Sequence, residues 1–221
     1  MRSSRSTDRT EATRAAIRDA AVARFAADGL DAPLRAVAED ARVSPALIVH
    51  HFGSKDGLRA ECDRHVLAVV AEQKAAALAP DHGPTAARAA LAALDELAPV
   101  VGYTLRAIQA GGETARIFID SFAADAQRWL TDGVAGGVLR PSRDEQARAR
   151  YLTLIGFGAM LLDMRLHPPA DPTDLTAAIR GYIERHGLAS IELFTEGLYT
   201  DHRMLDAYLM YVTDPPAQAG P

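Results

Sequence analysis

The sequence predicts an all-α fold, a short three-helix segment at the N-terminus followed by a larger helical region. Three observations predict it. Alanine and arginine, both good helix formers, recur along all 221 residues. Apolar residues repeat at helical spacing in long segments, punctuated by Gly111-Gly112, Gly136-Gly137 with Pro141, Pro168-Pro169 with Pro172, and Gly187. Alternating Val/Ile/Thr runs bounded by hairpin turns are missing, so strands gain no support.

Residues 1–9 are polar and Arg-rich and read as a flexible arm, with Arg2, Arg5 and Arg9 as a solvated tail within reach of a partner. The first helix reads from Glu11 to Ala27, with Thr10 as N-cap, Ile17, Ala20, Ala21 and Phe25 as its apolar stripe, and Gly29 as its stop. A second helix reads from Pro33 to Ala41 with Leu34, Val37, Ala38 and Ala41 facing inward. Arg42-Val43 is a short connection, and Ser44-Pro45 opens a third helix that ends near His51-Phe52 before Gly53. Ser54 caps a fourth helix from Lys55 to about Leu78, and Pro80 to Pro84 is a loop. Further helices are expected at Thr85–Leu97, Val100–Gln109, Glu113–Val134, Arg143–Leu166, Asp174–His186, Ser190–Asp201 and Arg203–Val212. The proline-rich residues 214–221 read as a flexible tail.

The longest apolar stretch, Leu152 to Leu162, is too short to span a bilayer. No apolar segment follows the charges of the N-terminus, so no secretory signal is expected. A lone cysteine, Cys62, excludes an internal disulfide and suits a reducing cytoplasm. Net charge is −5, yet residues 1–60 hold ten Lys/Arg against eight Asp/Glu. The sign asymmetry points to an N-terminal part that faces nucleic acid and an acidic remainder.

Three short helices, the second and third joined by a tight turn, are a helix-turn-helix, the arrangement that places its last helix in a DNA major groove. With Ile48 set at zero and about 100° per residue, Phe52 falls at about 40° and Ala46 and His50 at about 160° and 200°. Ile48 and Phe52 therefore dock the third helix, while Ala46 and His50, flanked by Leu47 and Val49, face outward.

The run Val37-Ala38-Glu39-Asp40-Ala41-Arg42-Val43-Ser44, followed by Leu47-Ile48-Val49-His50-His51-Phe52-Gly53-Ser54-Lys55-Asp56-Gly57-Leu58, resembles the signature of the TetR family of transcriptional regulators. The resemblance runs from about Thr13 to Leu58. This sequence has Arg42 where the family commonly has glycine, Leu47 where it has threonine, and Val49 where it has tyrosine. The family implies a helix-turn-helix DNA-binding domain over residues 10–54 and a ligand-binding and dimerisation domain over residues 55–213. It also implies a homodimer on a pseudo-palindromic double-stranded operator, and repression released by a small-molecule effector.

Ala46, Leu47, Val49 and His50 are the candidates for the groove, with thymine methyls as the main direct readout because no Arg, Lys, Asn or Gln is present in the third helix. Ser44, His51, Lys55 and Arg35 are candidates for phosphate, and Arg42 lies outward where it too can meet one. Phe118, Phe122 and Trp129, with Tyr103, Arg106 and Gln109 upstream, read either as core or as the lining of a hydrophobic effector site. Tyr151, Leu154, Ile155, Gly158 and Leu162, with Ile191, Phe194 and Leu198, are candidates for the dimer interface. Gly156 and Gly158 are expected to admit another helix closely. Cys62 near His65 reads as a structural thiol, Asp163 and His167 as a pair at a helix C-terminus, and no cofactor, metal or enzymatic activity is expected. Two rivals remain: a DNA-binding dimer without an effector, separated by whether the C-terminal region holds a cavity, and an all-helical enzyme, separated by a turnover screen.

Overall fold

A computed structural model describes residues 2–77, 94–171 and 174–212. The helices are α1 (Arg2–Asp28), α2 (Leu34–Asp40), α3 (Pro45–Phe52), α4 (Lys55–Ala77), α5 (Leu94–Ala110), α6 (Gly112–Ala135), α7 (Glu145–Leu166), α8 (Leu175–Glu196) and α9 (Arg203–Leu209). Among the described residues there is no strand, and no helix is long and apolar enough to cross a membrane. The all-α expectation is met.

Several boundaries differ from the sequence reading. Helix α1 begins at Arg2, so residues 2–9 are helical, and Thr10 lies inside the helix rather than capping it. No glycine or proline interrupts Arg2 to Asp28, and a capping preference worth about 1 kcal/mol does not stop a helix that has no breaker. Helix α5 runs from Leu94 through Pro99, joining two segments that were read as separate, while residues 85–93 of the first lie outside the described residues. Helix α8 continues through Gly187 to Glu196, because one interior glycine costs only about 1 kcal/mol. The segment expected at Arg203–Val212 is helical only to Leu209, and the expected tail lies outside the described residues.

The chain forms two compact units. The first comprises Met1–Ser121 with Asp171–Thr176. Its core is the buried stripe of α1 (Ile17, Ala21, Val22, Phe25) against Val100, Tyr103 and Ala107 of α5. The two helices come close at Gly102, where an added Cβ would lie 3.1 Å from the Cβ of Ala26 and 2.2 Å from Leu175 Cδ1. The Arg106 guanidinium donates to the carbonyls of Ala26 and Ala27 at 3.3 and 3.0 Å, satisfying the otherwise open C-terminus of α1. Arg24 holds Asp28 on its own helix and Asp40 on α2.

The second unit comprises Phe122–Ala170 with Ala177–Pro221. Phe122 packs on Phe157 of α7 with ring centroids 4.9 Å apart. Asp144 caps α7 by accepting from the Ala147 amide at 2.8 Å, and Glu145 accepts from the Ser142 amide at 2.8 Å. Near the other end of α7, the Asp163 side chain is only 3% exposed and accepts from Nε and Nη2 of Arg185 and from His186 and His167. The Arg185 guanidinium holds the Asp163 carboxyl well below the usual carboxylate range, with the two histidines adding to it and burial opposing it. Asp163 and His167 were read as a local pair; Arg185 and His186 complete the cluster from α8.

Candidate nucleic-acid interface

Helix α3 is built by its own ends. Ser44 adopts extended backbone and its Oγ accepts from the Leu47 amide at 3.2 Å, Pro45 occupies the first helical turn, and Gly53 ends the helix at φ 77°. Ile48 and Phe52 are buried, so the docking face is the one that helical geometry predicts. The next turn is set by a close approach. Ser54 Oγ accepts from the Gly57 amide at 3.0 Å, and a Cβ on Gly57 would lie 2.0 Å from the Phe52 carbonyl oxygen. Any side chain at residue 57 would therefore push the start of α4 away from the end of α3.

Arg14 of α1 locks this arrangement. Its guanidinium donates to the His51 carbonyl at 2.8 Å, pairs with Glu61 of α4 at 2.7 Å, and lies 4.5 Å from the centre of the Phe52 ring. One side chain thus ties α1, α3 and α4. The Arg14 hydrogen bond, with help from Arg64, holds the Glu61 carboxyl below its ordinary pKa. Nothing in the local sequence pattern marks Arg14, because its partners are 37 and 47 residues away.

The outward face of α3 presents Ala46, Val49 and His50 to solvent, with Leu47 half-buried beside them. The His50 and His51 rings sit edge to face with centroids 5.5 Å apart, and His51 is half-buried. Lys55 opens α4 beside this face. Arg35 is exposed and spans one turn of α2 to Glu39 at 3.2 Å. The face is apolar at its centre and has Ser44 and Lys55 near its two ends, a form suited to a groove floored by bases and walled by phosphates.

The residues read as effector contacts are placed differently from one another. Tyr103 is fully buried between Phe25 and Phe118, each with its ring centroid 6.2 Å away, and its hydroxyl donates to Asp63 of α4 at 2.7 Å. Arg106 is committed to the α1 carbonyls, and Gln109 is exposed. Phe118 belongs to the first unit and is buried; Phe122, buried, and Trp129, half-buried, belong to the second. Burial pushes the Asp63 carboxyl upward, against the Tyr103 donor and Arg59. Cys62 is buried, and burial followed by the charge of Asp63 pushes its thiol up to about 12, so it stays protonated and inert at neutral pH.

The residues read as dimer contacts are exposed on the chain. Tyr151, Leu162, Ile191, Phe194 and Leu198 retain 59% to 73% of their surface, Leu154 and Ile155 are also exposed, and no atom comes within 4 Å of a Cβ added at Gly156 or Gly158. The close helix expected at those glycines is not supplied by the described residues.

Comparison with known proteins agrees with this geometry. The family described as bacterial regulatory proteins, tetR family, matches residues 17–62, and the tetracyclin repressor-like C-terminal domain matches residues 95–200. The HTH-type transcriptional regulatory protein RaaS of Mycobacterium tuberculosis is 42% identical over 216 residues, covering 98% of this chain and 100% of the relative. A chain solved in a study of the molecular basis for control of antibiotic production by a bacterial hormone is 27% identical, with a TM-score of 0.51 over 80% of this chain and 96% of that one. A TetR transcriptional regulator from Chloroflexus aurantiacus shares the fold at 21% identity and a TM-score of 0.54, over 80% of this chain and 97% of its own. The chain belongs to the TetR family and is a DNA-binding transcriptional regulator.

Proposed function

We propose that this regulator acts in the cytoplasm as a homodimer that represses by occupying a pseudo-palindromic operator and is released by a small hydrophobic effector. The observation that carries the reading is the apolar face of α7 and α8. Tyr151, Leu154, Ile155, Gly158 and Leu162 fall within about 100° of one another around α7, the width of one buried stripe. Ile183, Ile191 and Phe194 form a second stripe on α8. Uncovered stripes of this size are unfavourable in water, and a second copy packing α7 and α8 against their equivalents covers both, with Leu198 at the edge.

Two such domains present two copies of α3, which a dimer needs to read half-sites about one helical turn apart. Ala46, Leu47, Val49 and His50 meet base edges, while Ser44, His51, Lys55 and Arg35 meet phosphates. Release follows from Tyr103 and Arg106. An effector that takes either as its polar partner, packing beside Phe118 and within reach of Gln109, displaces Asp63 or the carbonyls of Ala26 and Ala27. It then binds best to a state in which α5 has let go of α1 and α4, the helices that brace α3. The similar chain studied for control by a bacterial hormone fits a regulator that answers to a diffusible signal.

Selection of bound duplexes from a random DNA pool tests the reading. The expected product is an inverted repeat bound by two chains. A non-repeating site bound by one chain would overturn the dimer, and a screen of apolar small molecules in which none releases the selected duplex would overturn the effector.

A further inference from the structure

Arg42 has a φ of 55°, and it is the only non-glycine residue with a positive φ among the described residues. It stands in the turn between α2 and α3. A left-handed backbone is unfavourable for any residue with a Cβ and costs glycine nothing comparable. The turn itself does not need the arginine side chain. Its backbone is closed by the Arg42 amide on the Glu39 carbonyl at 3.2 Å and the Val43 amide on the Ala38 carbonyl at 2.9 Å.

Nor is the guanidinium used elsewhere among the described residues. Arg14, Arg18, Arg24 and Arg35 each hold a carboxylate, and Arg59 donates to Thr114. Arg42 is exposed and, among the described residues, makes no side-chain hydrogen bond or ion pair. The two carboxylates nearest in sequence are already occupied, Glu39 by Arg35 and Asp40 by Arg24. The Arg42 charge is therefore left for an external partner, on a residue whose backbone is strained.

We propose that Arg42 is a phosphate contact that sets the seat of α3 on DNA. In a helix-turn-helix the first helix of the pair crosses the DNA backbone and the second enters the groove, so the turn between them passes the phosphates at the groove edge. Ser44 at the start of α3 is two residues away. A guanidinium fork matches two phosphate oxygens, and it fixes register without reading sequence. The proposal rests on DNA binding by this domain and adds a contact to it.

The test uses the full chain with two duplexes: one selected by the wild-type protein and one of scrambled sequence. Arg42→Gly relieves the backbone and removes the charge. It is expected to melt about 2 to 4 °C higher, while affinity for both duplexes falls by about three- to tenfold. The slope of log affinity against log salt is expected to flatten by about 0.9 per protomer. Arg42→Asn, which tolerates the left-handed backbone but carries no charge, is expected to lose affinity and slope alike. Arg42→Lys is expected to keep most of the slope. Wild-type affinity and slope in both the glycine and asparagine variants would overturn the proposal. Weakening of the selected duplex alone would also overturn it, by making Arg42 a base contact. If the wild-type protein bound neither duplex, DNA binding itself would fail, a result distinct from any variant effect.

Discussion

Phe25, Tyr103 and Phe118 in the first compact unit are sealed by their own chain, whereas Tyr151, Leu162, Ile191 and Phe194 in the second are more than half exposed. The residue types are alike; their covering differs. Helix α1 turns its stripe to α5, and Gly102 lets the two meet. Helices α7 and α8 carry stripes of similar width that nothing among the described residues covers, with open space at Gly156 and Gly158. The first unit buries its stripe, while the second leaves apolar faces exposed among the described residues.

The largest expected effect comes from exchanging an aromatic ring for a methyl group in each unit. Phe25→Ala should cost about 3–5 kcal/mol of stability, as truncation of a fully buried ring does, and the loss should be the same at every protein concentration. Phe194→Ala should cost little in the dissociated chain, so its lowering of the urea midpoint should be largest at high protein concentration and should shrink as dilution dissociates the wild-type pair. Equal, concentration-independent losses would erase the distinction between the units.

Two aspartates sharpen it with opposite pH dependence. Asp63 has a folded pKa above its ordinary value because of burial, so the folded state holds its proton more tightly than the unfolded chain. Its contribution is present below the ordinary carboxylate pKa and is lost as pH rises through the raised one. Asp163 has a depressed folded pKa through Arg185. Its contribution is present above the ordinary carboxylate pKa and is lost as pH falls toward the depressed one. Asp63→Asn, whose amide oxygen still accepts from Tyr103, should gain relative stability as pH rises from the acid range to neutral. Asp163→Asn should lose most at neutral pH and least in acid. Thermal melts over that range check both signs, and parallel profiles for the two variants would contradict them.

The smallest effects separate roles within the first unit. Lys55→Ala should weaken every duplex alike and lower the salt slope by about 1 per protomer. Val49→Ala should change base preference at one or two positions and leave the slope unchanged. Binding of selected and scrambled duplexes across a salt series distinguishes them, and exchanged behaviour would reverse the roles given to the two residues.

The parts that were legible in the sequence are those set by neighbours along the chain. Ser44, Pro45 and Gly53 announce α3, and Ile48 with Phe52 announces the face it buries, because caps and periodicity are local. Helix ends without a breaker were not legible: α1 continues upstream past Thr10, and α8 passes through Gly187, each paying only a small local penalty. Long-range partners left no local trace. Arg14 reaches His51 and Glu61 across 37 and 47 residues. Tyr103 and Arg106, read as effector anchors, are spoken for by Asp63 and by the end of α1. The apolar character of Tyr151, Leu154, Ile155 and Leu162 and of Ile191, Phe194 and Leu198 is legible, because composition is local, whereas their exposure on the chain is not.

Sedimentation velocity on the wild-type chain, Phe194→Glu and Gly158→Leu, each alone and with the selected duplex, tests most directly whether those stripes are the faces between two copies. The wild-type chain should sediment as a dimer at micromolar concentration and bind the duplex as two chains. Both variants should shift to folded monomers, with the selected duplex losing far more affinity than scrambled DNA. A wild-type monomer, or variants that remain dimers with selected-duplex binding intact, would contradict the account.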